Sequence, residues 1–171
     1  MAPDRAVPPE SPFALLTPEQ VRAWYAWMKL QLRLRYEMNR QLRADSGISL
    51  SDYDVLVALT SAPDGRMRMA ALATRIGWER SRTSHHVRTL AGRGLVTSGR
   101  AADDGRATDV ALTATGRDTL RDASPQHIAL VRRMFFEGLT PAAVAELARS
   151  LETVYEKVIE HGTLPRPDDH P

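Results

Sequence analysis

The stretch from Arg80 to Thr113 limits the fold more than any other part of the chain. Thr83, Val87, Leu90 and Ala91 recur at three- and four-residue intervals, which puts them on one face of an α-helix. Arg80, Ser84, His85 and Arg88 then fall largely on the other faces. Gly94 is the expected stop, because glycine enters the left-handed conformation of a helix end without steric cost. Gly92 weakens the turn before it. A short strand starts at Leu95 and Val96 and is expected to break near Gly99. Asp103-Asp104-Gly105-Arg106 suits a hairpin, since Asp-Gly tolerates the positive φ of tight turns. Val110 and Leu112 alternate with Ala111 on the returning strand, and Thr113 can cap the next helix. A polar, basic helix followed by a basic hairpin can hold a DNA duplex at two places.

The charges fall in the same place. The 171-residue chain carries a formal net charge of only +2, so the global balance argues nothing. Between Arg66 and Arg106, nine arginines (66, 68, 75, 80, 82, 88, 93, 100, 106) meet only Glu79, Asp103 and Asp104, which leaves six net positives there. A local basic patch on a near-neutral protein is the electrostatic footprint of nucleic-acid binding. The plainer alternative is a solvated charged face, but here the charges coincide with a helix and a hairpin.

The chain has no cysteine, which excludes disulfides, thiolate metal sites and thiol redox sensing. No apolar run approaches the roughly 20 residues that span a bilayer. Met1 to Pro12 is Pro-rich and polar, without the apolar core of a signal peptide. The expectation is a soluble, cytoplasmic protein of one ordinary domain with no internal repeat.

Taken in order, residues 1–16 read as a flexible arm, although Phe13, Leu15 and Leu16 could dock. Thr17-Pro18-Glu19-Gln20 is a strong helix start, with Thr as cap, Pro first and Gln three after the cap. That helix should run to about Ala44 and stop near Gly47. Val21, Tyr25, Met28, Leu32 and Tyr36 form one apolar stripe, and Trp24, Trp27, Leu34 and Met38 a second, as in a helix wedged between two partners. Ser49 opens a second helix with Val55, Leu56 and Leu59 inward. Ala62 to Gly65 turns, Arg66 to Arg68 suits a very short strand, and Met69 to Ile76 a small helix closed by Gly77. Two short helices around a tight turn, the second polar outside, make a helix-turn-helix, and the hairpin makes it a winged one. Beyond Thr113, proline at Ser124-Pro125 predicts a kink or fresh start, with Ile128, Val131 and Phe135 continuing the apolar stripe. Thr140-Pro141 opens the last helix. There Val144, Leu147, Leu151, Val154 and Val158 have the spacing of a helix–helix seam. Gly162 stops it, and residues 163–171 form a polar tail expected to be disordered.

Gly94-Leu95-Val96, the wing Asp104-Gly105-Arg106 and the following Val110-Ala111-Leu112-Thr113-Ala114-Thr115-Gly116 resemble the signature of the MarR (multiple antibiotic resistance regulator) family. The D-x-R followed by V-x-L-T-x-x-G is its most specific part, and the helix order matches from about Thr17 to Gly162. The resemblance implies a mainly α winged helix-turn-helix protein with a small β-hairpin wing. It places a DNA-binding lobe at about 49–113 and dimerisation helices at about 17–45 and 114–162, in one domain over 17–162. It further implies a homodimer on a pseudo-palindromic operator, acting as a transcriptional repressor. Arg82 and the pair His85-His86 are bulkier and more polar than many members carry there, which leaves the operator sequence open.

Chemistry assigns the roles. Arg82, Ser84, His85 and Arg88 are candidates for the major groove, where Arg pairs bidentately with guanine and His or Ser reaches acceptors. Arg80, at the helix start, is a further candidate DNA contact. Ser81 and Thr83 read as phosphate contacts or packing residues, and His86 as a DNA contact or a half-buried packing histidine. By resemblance, Arg106 at the wing tip enters or flanks the minor groove. Asp104 braces the wing, Arg93 and Arg100 contact phosphates, and Arg68 and Arg75 are simple surface charge. By the same resemblance an effector site is implied. Trp24, Trp27, Met28, Tyr36, His127 and Met134 could line a cavity for a small aromatic molecule between the first and fifth helices, although ordinary core is the plainer reading. No cofactor or metal is expected. Neighbouring His85 and His86 point about 100° apart on a helix and cannot easily share a metal, and no catalytic fingerprint appears. The remaining alternative is a winged-helix module for protein–protein assembly or for DNA architecture.

Overall fold

The computed structural model describes Pro8, residues 10–101 and residues 103–167. The start of the expected arm and the last four residues of the expected tail lie outside the described residues. The chain divides into two units, Met1–Glu37 and Met38–Pro171. The first helix, α1 (Pro18–Ser46), begins in one and ends in the other.

In the first unit the arm contains a hydrogen-bonded turn. Pro12–Leu15 form a single 3-10 turn that Ser11 caps by accepting from the Phe13 N–H. The Phe13 ring lies 5.1 Å from that of Tyr25. α1 opens with a reciprocal cap: the Gln20 N–H donates to Thr17 Oγ1, and the Thr17 N–H to Gln20 Oε1. Val21 is buried, but Trp24 and Trp27 are each 44% exposed and Tyr36 61%.

The second unit holds the core. Gly47 ends α1 at φ +64°, a conformation that suits glycine. Ser49 and Asp52 then form a capping box on α2 (Leu50–Thr60), whose Val55, Leu56 and Leu59 are fully buried. A turn through Asp64 and Gly65, both at positive φ, leads to β1 (Arg66–Arg68). α3 (Met69–Arg75) and α4 (Arg80–Gly92) form the helix-turn-helix, with the chain reversing at Gly77, φ +67°. Leu72 and Ala73 are buried as expected, whereas Ile76 is half-buried, because the helix ends one residue before it. β2 (Val96–Arg100) and β3 (Thr108–Leu112) make the wing. The sheet order is β1-β3-β2, all antiparallel.

Three expectations need correction here. β2 starts one residue after Leu95 and does not break at Gly99, which pairs with Asp109 in unbroken register. α5 (Ala114–Val131) runs through Pro125 without interruption. Pro125 and Arg121, whose carbonyl loses its usual donor, are both exposed, so the missing bond falls on the solvent side of the helix. The irregularity comes later, as a π-helical turn over Arg132–Phe136. The buried stripe of α5 is Leu120, Ala123, His127 and Leu130, not Ile128, Val131 and Phe135, and Ile128 is exposed. His127, whose ring lies 4.4 Å from that of Tyr53 on α2, marks the covered side of α5.

Gly116 shows how tightly the wing docks on α5. A β-carbon there would stand 2.0 Å from the Leu95 carbonyl oxygen. Thr113 caps α5 by accepting from the Gly116 N–H, and its hydroxyl reaches the Leu95 carbonyl as well. α6 (Pro141–His161) starts on the Thr140 cap. It buries none of its residues. Beyond Gly162, Arg166 pairs with Glu156 of α6, so this part of the tail is not without contacts.

Candidate nucleic-acid interface

The outer face of α4 follows from its inner one. Thr83, Val87 and Leu90 are fully buried, which turns Arg80, Ser81, Arg82, His85 and Arg88 outward, with Ser84 half-buried beside them. Thr83 is therefore a packing residue and not a phosphate contact. Its hydroxyl donates to the Glu79 carbonyl at 3.0 Å, and no atom of it reaches the surface.

His86 is turned inward. Its Nε2 lies 2.8 Å from Asp52 Oδ1, without the alignment of a directed hydrogen bond, and its ring meets the buried Trp78 edge-on at 5.3 Å. Of its two readings, the geometry places it as the half-buried packing histidine. The same carboxylate accepts from Arg93 Nη1 at 2.7 Å and from the Ser49 N–H at 2.9 Å. Burial pushes the Asp52 carboxyl up, but the Ser49 N–H and the Arg93 guanidinium together outweigh it and hold the group below its ordinary range. Arg93, expected on a phosphate, is paired within the fold, although its side chain stays 38% exposed: it also donates to the Gly47 carbonyl at 3.0 Å.

Two more arginines leave the surface count. Arg68 is not simple surface charge. It bridges Asp109 of β3 at 2.9 Å and Asp103 of the wing, and its guanidinium holds the Asp103 carboxyl below the usual range. Arg75 donates to the Ala58 carbonyl at 3.1 Å. The wing brace expected of Asp104 is a turn hydrogen bond, from the Arg106 N–H to Asp104 Oδ1 at 2.9 Å, while the ion pair falls to Asp103.

What remains outside is a smaller and more ordered cationic surface. Arg80, Arg82 and Arg88 on α4, Arg100 at the end of β2 and Arg106 at the wing tip are exposed, and among the described residues none of the five forms an ion pair. Arg80 and Arg106 both line a cleft of about 340 Å³, together with Arg68, Met69 and Asp104. Positive charges with no acidic partner, on a helix and a hairpin, can pair with phosphates and with acceptors on base edges.

Sequence reasoning misses Trp78. The indole carries the Arg82 guanidinium on its face, with the Arg82 Cζ 4.0 Å from the ring centre. A signal for it exists: Trp78, Arg82 and His86 are spaced by one helical turn each.

The residues assigned to an effector site are divided between the two units. Trp24, Trp27, Met28 and Tyr36 belong to the first unit, and all but half-buried Met28 are exposed. In the second, Met134 is exposed, whereas His127 is buried, with its ring 4.4 Å from that of Tyr53. Its Nδ1 lies 3.1 Å from Gln41 Oε1. Gln41 donates to Asp45 Oδ2, which leaves its oxygen to face the ring and makes Nδ1 the protonated nitrogen. Burial pushes the His127 pKa down. On α6, Val144 and Leu147 are half-buried, and Leu151, Val154 and Val158 are 39%, 60% and 59% exposed. No helix among the described residues is long and apolar enough to cross a membrane.

The sequence profile of the MarR family matches residues 46–107, the span from the end of α1 to the wing. Among solved structures, AbsC, a MarR family transcriptional regulator from Streptomyces coelicolor, is similar at a TM-score of 0.78 and 31% identity, over 84% of this chain and 96% of that one. Sco3205, a MarR family regulator from the same organism solved in complex with DNA, is similar at a TM-score of 0.81 and 31% identity, over 89% and 94%. The transcriptional regulator BldR from Sulfolobus solfataricus is similar at 0.72 and 25%, over 81% and 96%. A search of curated protein sequences finds no match.

Proposed function

This chain belongs to the MarR family, and from that premise we propose that it is a DNA-binding transcriptional regulator that represses its targets as a homodimer on a pseudo-palindromic operator. The observation that carries the reading is the set of five exposed arginines without acidic partners on α4 and the wing. α4 enters the major groove, where Arg82 reads guanine and Ser84, His85 and Arg88 reach neighbouring acceptors or phosphates. Ser81 and Arg80 meet the backbone at the helix start. Arg106 lies at the minor groove, and Arg100 holds a phosphate beside it. α6 supplies the subunit seam through Val144, Leu147, Leu151, Val154 and Val158. The exposed rings of Trp24, Trp27 and Tyr36 receive a small aromatic effector, which releases DNA by binding the free form better, a coupling of typically about 1–3 kcal/mol. The similarity to Sco3205, a regulator solved on DNA, supports the first of these statements.

The test is binding to an operator selected from random DNA and to its single-base variants, at several salt concentrations. Arg82→Ala should cost about 1–3 kcal/mol per half-site and relax preference at one position in each. Arg106→Ala should weaken binding across many sequences and lower the slope of log affinity on log salt by about one unit for each phosphate no longer held. The half-site centres should lie about 10 base pairs apart, one turn of the duplex. If both variants bind every operator as the parent does, the DNA-facing surface lies elsewhere.

A further inference from the structure

Trp78 lies two residues ahead of α4, only 8% exposed, with its backbone N–H donating to the Ala73 carbonyl at 2.9 Å. One turn on, the Arg82 guanidinium rests on the indole at 4.0 Å. One turn further, His86 meets the same indole edge-on at 5.3 Å and 83°. His86 is itself held beside Asp52, the carboxylate fixed by Ser49 and Arg93. The indole thus has His86 edge-on to it, itself held beside Asp52 of α2, and the Arg82 guanidinium over its face.

A guanidinium over an aromatic face is attracted by the ring quadrupole and loses freedom to rotate. Its N–H groups lie in its own plane, at the edges, and stay available. Those edges are what pairs with O6 and N7 of guanine. An arginine without such a platform can instead swing to a phosphate, a contact that positions but does not specify. We propose that Trp78 is a positioning residue whose indole holds Arg82 as a guanine-reading fork, and so sets specificity at one base pair of each half-site. The inference rests on the reading of Arg82 as the base reader.

The experiment uses the full chain, its selected operator, and operators in which each guanine is replaced in turn. The parent should prefer guanine at one half-site position by a factor of about 5 to 150, the worth of a bidentate pair. Trp78→Leu should cut that preference at least twofold, with loss of affinity for the cognate operator and little for the substituted one. Trp78→Phe, which keeps a ring face, should retain most of it. A merely structural tryptophan would lower affinity for all operators alike and leave the ratio unchanged, and that result overturns the proposal. A second measurement does not depend on the variant folding. In the free parent protein, the Arg82 Nε–H and Cδ proton resonances, assigned by their disappearance in Arg82→Lys, should be shifted upfield by the indole ring current. Unshifted resonances also overturn it. If Arg82→Ala relaxes guanine preference but Trp78→Leu does not, this inference falls alone. If Arg82→Ala changes no base preference, the reading of Arg82 falls and takes the inference with it.

Discussion

α4 and α6 make an instructive pair. α4 is short and polar, yet Thr83, Val87 and Leu90 along one side of it are fully buried against α3 and the wing. α6 is longer, with a cleaner apolar stripe, and buries nothing. Apolar periodicity therefore marks where a helix is prepared to be covered and does not say by what. In α4 the cover is the rest of the same unit. In α6 it is left for another surface, which is the opening that the proposed second copy fills.

The sharpest way to break that contrast is to charge the open stripe. Leu151→Glu places two unpaired carboxylates at the proposed subunit seam. Burial of an unpaired charge costs about 3–5 kcal/mol, so the variant should sediment as a monomer or aggregate. A well-folded dimer would sink the assignment of α6. Leu90→Ala tests the covered side. Truncating a fully buried leucine costs about 2–5 kcal/mol, and the denaturation midpoint should fall below the parent's by a similar margin at every protein concentration, with the dimer retained. If instead Leu90→Ala kept the parent's stability and lost the dimer, the two helices would have exchanged roles.

The smallest effect sharpens the covered side through pH. Burial holds His127 below its ordinary value of 6.5 in the folded chain. Its contribution to stability is therefore complete above 6.5 and is lost as pH falls through the folded-state pKa, because the unfolded chain takes up the proton first. His127→Asn keeps a donor for Gln41 and removes the titration. Chemical denaturation from pH 7 down to pH 5 should lose stability less steeply in the variant than in the parent. Equal slopes would show that His127 titrates freely.

Much of this architecture is legible in the residues. The caps at Thr17, Ser49, Thr113 and Thr140 and the stops at Gly47, Gly77 and Gly94 all act locally, through bonds spanning a few residues, and the structure has each of them. The errors are long-range. Nothing near Arg93 says that its guanidinium ends at Asp52, 41 residues away, nor near Arg68 that its partner is Asp109. Charge counting treats all nine arginines alike, whereas folding divides them into those that brace the interior and those that remain for a ligand. Pro125 misleads for the opposite reason. Its cost is local and real, but on an exposed side of α5 the missing bond does not break the helix. Trp78 escapes notice because it stands alone between two short helices, away from the tryptophan pair on α1.

The β1–β3 ladder carries a consequence for the order of events during folding. The rungs of the wing hairpin join residues close in sequence, with Arg100 opposite Thr108. The rung of Arg68 and Asp109 joins residues 41 apart, and the chain between them contains α3, α4 and β2. Local ladders close within about 1–10 μs, while distant ones must first meet the entropy of drawing a long loop together. The hairpin thus forms ahead of its third strand. Only when β1 docks and Arg68 reaches Asp103 and Asp109 is the loop sealed, with α4 inside it. The surface proposed to face the operator is then completed late, by a short strand whose Arg68 lines the same cleft as Arg80 and Arg106.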